Sequence, residues 1–89
     1  MKVYCVSYDL NKSGKDYKGL IEELKKTSSW WHYLGSTWLL YTSETAEQIW
    51  KRISGHIDKD DYALIIEVAK DHQGWLPKEA WDWINKYCK

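Results

Sequence analysis

Residues 30–42 read Trp-Trp-His-Tyr-Leu-Gly-Ser-Thr-Trp-Leu-Leu-Tyr-Thr, and the Gly35-Ser36 pair in the middle decides the fold. Gly-Ser between two aromatic and branched runs is the chemistry of a two-residue hairpin turn with glycine at its first central position. It predicts strands at 30–34 and 37–42. Trp38-Leu39-Leu40 is apolar on both faces, which predicts an internal place for the second strand.

Upstream of the hairpin, Tyr17, Leu20, Ile21 and Leu24 recur at helical spacing, so residues 16–27 read as a helix capped by Ser13 or Asp16. Before it, residues 2–10 (KVYCVSYDL) form an almost continuous apolar run, the mark of a central strand. Downstream, Ala46, Ile49, Trp50 and Ile53 make a second helical stripe over 44–54, with Ser43 as N-cap and Gly55 as terminator. A charged loop, HIDKDD, leads to a strand at 62–68. Pro77 then opens a C-terminal helix over 77–87, with Ala80, Trp81, Ile84 and Cys88 on one stripe.

The order is strand, helix, strand, strand, helix, strand, and a further helix. Short connections and right-handed crossovers turn it into an α+β ferredoxin-like split βαβ, one domain over 1–89. The first and third strands are expected at the centre and both main helices on one face. The other face is left for the terminal helix, a second copy or a ligand.

Composition narrows the function. The 89 residues carry 13 Lys+Arg against 13 Asp+Glu, a formal net charge of zero, which excludes a strongly basic polyanion binder but not a local basic patch. Lys51, Arg52, Lys59 and Lys70 form no run and are diluted by Asp58, Asp60, Asp61 and Asp71, a solvated surface by default. Mean hydropathy is −0.67 and no apolar run approaches a membrane span. Met1-Lys2 leads straight into the first strand without a signal-peptide pattern, so a cytoplasmic protein with no membrane partner is expected. Cys5 and Cys88 lie at opposite ends with no CxxC spacing, and His32, His56 and His72 are scattered. Reduced thiols, not a zinc site, follow. Seven Trp and seven Tyr with no Phe favour half-exposed surfaces and interfaces, because both rings carry a polar atom.

Two motifs point to a family. Tyr8-Asp9-Leu10-Asn11 at the end of the first strand, with Trp30-Trp31-His32-Tyr33-Leu34 and Ser36-Thr37-Trp38, resembles the small bacterial SinR-like proteins. These are grouped with the second Cas protein of CRISPR adaptation and with VapD-type toxins. The resemblance implies a ferredoxin-like homodimer. In its nuclease members it implies an aspartate from each subunit, at the end of the first strand, holding Mg²⁺ or Mn²⁺ between them. Asp9 is the matching position, as metal ligand and catalytic residue; such an ion needs few carboxylates beside water and phosphate. The chain departs from the nuclease members just after that aspartate, with Lys12 and Lys15 but no arginine.

Each candidate has a second reading. Asp9 serves equally as a strand-end turn residue. The Asn11–Lys15 loop has the polarity of a phosphate cradle but not the spacing of a P-loop. Trp31 and Trp38, with His32, form a stacking platform for a base, or else a dimer interface or a seat for the terminal helix. His32 beside Asp9 would be a base or ligand, or a packed histidine. Tyr8 belongs to the Tyr-Asp motif. Ser36 offers a hydroxyl to phosphate, or only turn chemistry. Three functions follow: a homodimeric module binding a nucleotide or short nucleic acid through an aromatic groove, a metal-dependent endoribonuclease or phosphodiesterase, or a protein-interaction subunit.

Overall fold

The computed structural model describes residues 1–11 and 17–88. It is α+β: β1 (Lys2–Asp9), α1 (Lys18–Lys25), β2 (Ser29–Leu34), β3 (Thr37–Thr42), α2 (Ala46–Ile53) running into a 3-10 turn (Ser54–His56), β4 (Tyr62–Glu67) and α3 (Lys78–Tyr87). The strands form one antiparallel sheet in the order β2-β3-β1-β4. Thus β1 and β3 are the inner strands, as their two-sided apolar character requires, and β2 and β4 are the edges.

The sheet carries a core on each face. On one, Tyr4 and Val6 of β1 and Trp38 and Leu40 of β3 meet Leu20 and Leu24 of α1 and Ile49 and Ile53 of α2. Each fully buried Leu or Ile is worth about 1.5–3 kcal/mol of transfer free energy, so this cluster dominates stability. On the other face, α3 lays Ala80 and Ile84 over Trp31, with Leu39, Leu76, Trp81 and Trp83 packed around them. The terminal helix therefore claims the β2–β3 half of the second face. Trp83 Nε1 fastens it by donating to Ser29 Oγ at 2.9 Å, and Tyr87 packs on Tyr41 at 4.4 Å between ring centroids.

Several local expectations are corrected. The α2 cap is Thr45, not Ser43: its hydroxyl accepts from Gln48 N–H while the Gln48 side chain accepts from Thr45 N–H, a complete capping box. Gly55 does not end α2 abruptly but lies within the 3-10 turn. The two-residue turn at Gly35-Ser36, by contrast, stands as read, with Leu34 paired to Thr37 and a register shift between Trp31 and Leu34 beside it. The proposed α1 caps Ser13 and Asp16 lie outside the described residues; so does the Asn11–Lys15 loop apart from Asn11 itself. Among the described residues no helix is long and apolar enough to cross a membrane.

Candidate functional site

The motif residues gather at the end of the sheet where β1 finishes and the β2–β3 hairpin turns. Tyr8 N–H donates to Ser36 O at 3.1 Å, extending the β1–β3 ladder to the turn. The Tyr8 hydroxyl accepts from Trp38 Nε1 at 3.0 Å. The His32 ring lies on Trp38 at 3.9 Å and 15° from parallel, and its Nε2 is 3.2 Å from Gly35 O. Trp30 packs against Trp38 from the same side at 5.2 Å. Strand alternation explains the set: Trp30 and His32 share the helix-covered face, while Trp31 and Tyr33 share the α3 face.

Burial divides these residues. Trp38 is completely enclosed, and Trp31 is 2% exposed, its Nε1 donating to Ala80 O at 3.2 Å. Neither ring has a face left for a base, so the stacking platform expected of Trp31 and Trp38 is not available; the apolar cores on the two sides of the sheet have used both. Trp30 is 39% exposed and His32 half-buried. The Lys25 ammonium of α1 stands 5.7 Å from the Trp30 ring centre, a cation over an aromatic face. On the face shared with Trp38, the accessible aromatic surface is therefore the rim made by Trp30 and His32, with buried Trp38 as its backing; Tyr33, 46% exposed, lies on the other face. Ser36 is exposed at the turn beside it.

Asp9 and Asn11 belong to the opposite side of the β1 terminus. Asp9 is exposed and pairs in register with Tyr62 of β4. Asn11 turns toward the β4 approach: its N–H donates to Asp61 Oδ1 at 2.7 Å and its Nδ2 to Asp60 O at 3.0 Å. Asp61, read from sequence as a solvated charge, is buried. It accepts from Asn11 N–H, from the Tyr17 hydroxyl at 2.9 Å and from Asp58 N–H at 2.9 Å, tying three chain segments together. Its signal in the sequence is slight: an aspartate directly before the first apolar residue of a strand.

A divalent ion resident at Asp9 would need several hard oxygen donors around it. Among the described residues no group of three or more His, Cys, Asp or Glu side chains converges on such a position. The described residues of one chain thus bring no ready ligand cluster to Asp9, and His32, across the sheet end on the Trp38 ring, is engaged in stacking. The two thiols, Cys5 and Cys88, are free and half-buried, and burial pushes both above the ordinary thiol range.

Comparison of the chain with protein-family models, with curated proteins and with solved structures finds no match in any of the three.

Proposed function

We propose that the chain is a ferredoxin-like binding module that works as a homodimer and takes a planar anionic ligand, a nucleotide or the end of a short nucleic acid, at the Trp30–His32 rim. The strand order β2-β3-β1-β4 with helices joining β1 to β2 and β3 to β4 supports the split βαβ arrangement. The observation that carries the ligand is the half-exposed Trp30 with Lys25 at its ring, set beside His32 stacked on Trp38. An aromatic face adjoining a cation offers a base its stacking partner and a phosphate its counter-charge. Stacking is worth about 1–3 kcal/mol per base. This is a weak site, suited to recognition rather than to an enclosed reaction.

The test is a titration of intrinsic tryptophan fluorescence with mononucleotides and short RNA in the absence of divalent metal. Saturable quenching that Trp30→Ala abolishes and Asp9→Ala leaves intact is the expected result. A response that requires Mg²⁺ or Mn²⁺ and disappears in Asp9→Ala replaces the rim with the metal-dependent nuclease reading. No response under either condition removes both and leaves protein interaction.

A further inference from the structure

The last strand of the sheet is an edge that little among the described residues defends. Tyr62, Leu64 and Ile66 of β4 point to the α3 side of the sheet, beyond the reach of α3, and are 73%, 59% and 55% exposed. On the opposite side, Ala46 and Trp50 of α2 and Ala63 and Ile65 of β4 border a shallow, mostly apolar groove of about 310 Å³. An apolar edge of this kind is a template for another strand, and native proteins ordinarily blunt it with charge, proline or a bulge. The segment from Tyr62 to Ile66 has none of these.

The backbone fixes which groups the edge offers. Val68 N–H donates to Val3 O at 2.8 Å, so Val3 and Val68 are a hydrogen-bonded pair of the β1–β4 ladder. Antiparallel ladders alternate, and the register pairs Cys5 with Ile66 and Ser7 with Leu64. The N–H and C=O groups of Tyr62, Leu64, Ile66 and Val68 therefore face β1. Those of Ala63, Ile65 and Glu67 face outward.

We infer that β4 pairs antiparallel with β4 of a second copy about a two-fold axis at Ile65, joining the two sheets edge to edge. The inference rests on the homodimer reading above and specifies the interface. An axis at Ile65 pairs Ile65 with Ile65 of the partner subunit and Ala63 with Glu67 of the partner subunit, both through outward-facing backbone groups. The same register sets Leu64 opposite Ile66 of the partner subunit and Tyr62 opposite Val68 of the partner subunit, so apolar side chains meet on one face. A zero net charge adds no long-range repulsion between copies. Tyr62, Leu64, Ile66 and Trp50 together expose roughly 450 Å² of side chain per copy, enough for the centre of an interface that needs about 800 Å² a side with its backbone and rim.

This geometry constrains the site. Asp9 lies three positions along β1 from Val6, the residue level with Ile65. At ordinary strand rise and spacing the two Asp9 residues of such a dimer stand roughly 20–25 Å apart. They cannot share an ion, whereas both Trp30–His32 rims remain free on the far edges of the joined sheet.

The experiment combines sedimentation of the wild-type protein across a concentration series with amide hydrogen exchange by NMR. A dimer is expected, with the Ile65 and Glu67 amides protected about 100-fold or more at dimeric concentration and released on dilution. Ala63→Pro removes an outward N–H while leaving every β1–β4 bond in place, so it should fold and weaken dimerisation roughly tenfold or more. Leu64→Lys should do the same through the side-chain layer, and stands in should the proline variant fail to fold. A dimer whose Ile65 amide exchanges freely, and which both variants leave intact, overturns the β4 interface but not the homodimer. A monomer at all concentrations overturns both. If Leu64→Lys instead abolishes capture of a foreign extended peptide by a monomer, the edge belongs to another protein and the inference is likewise overturned.

Discussion

His32 lies flat against Trp38, 3.9 Å between ring centres, while Tyr8 accepts the Trp38 indole N–H from the neighbouring strand. The most conspicuous motif in the chain thus converges on one completely buried ring. The Tyr8–Trp38 bond has a measurable consequence. Tyr8→Phe leaves the Trp38 N–H without that acceptor and should cost about 1–2 kcal/mol in urea denaturation. Trp38→Phe should be less costly in the Tyr8→Phe background than in the wild type, since the indole N–H is then already unserved. Equal costs in both backgrounds would show that the two residues do not act as a pair.

The same ring separates what the sequence discloses from what it withholds. The hairpin at Gly35-Ser36, the helical spacing of Leu20, Leu24, Ile49 and Ile53, and the two-sided apolar strands are local patterns. Local patterns dictate periodicity, and periodicity dictates the order of elements. Alternation even places Trp30 with His32 and Trp31 with Tyr33. What it does not reveal is how deeply each face is covered. Trp31 is buried because α3, some fifty positions later in the chain, lays Ala80 across it. Arg52 and Asp61 are hidden from the sequence for the same reason. Their partners lie in other elements, so each reads as one more surface charge until the chain is folded.

Arg52 offers a second prediction. Its Nε and Nη2 hold both oxygens of Glu44, at 3.1 and 3.0 Å, Nη2 also reaches Thr27 Oγ1 at 3.0 Å, and Nη1 donates to Glu23 O at the end of α1. One planar fork therefore joins the end of α1, the loop before α2 and α2 itself. Arg52→Met should destabilise by about 2 kcal/mol, the cost of several partly buried charge-assisted bonds. Arg52→Lys should recover little, because an ammonium cannot reproduce the fork. Full recovery by lysine in thermal denaturation would reduce the site to a simple ion pair.

Gly19 gives a third. A methyl group built there would stand 2.5 Å from His56 Nδ1, so α1 and the 3-10 turn approach as closely as they do only because position 19 has no side chain. Gly19→Ala should cost about 1 kcal/mol through displacement of the His56 ring, despite alanine's better helix propensity. Removing the obstacle reverses the sign. In a His56→Ala background the same substitution should stabilise by about 0.5–1 kcal/mol. A stabilising effect in both backgrounds would mean that the ring moves aside without resistance.

Cys5 sets the pH dependence. Its thiol lies half-buried on β1, between Leu39 and Ile66 in register, and burial raises its ionisation above the ordinary range. The folded state therefore holds its proton at pH values where the unfolded chain has begun to lose it. Stability from this group is complete below the ordinary thiol pKa of about 8.5 and is lost as pH climbs through the higher folded value. Wild-type protein should accordingly lose urea resistance between pH 7 and pH values above that range faster than Cys5→Ala does, whose remaining loss reports Cys88 and the other titrating groups. The folded protein should also react slowly with a thiolate-specific reagent at pH 8, and at the full rate once unfolded. Parallel pH profiles for the two proteins, or rapid labelling of Cys5 in the folded state, would place its thiol in water and break the link between burial and titration.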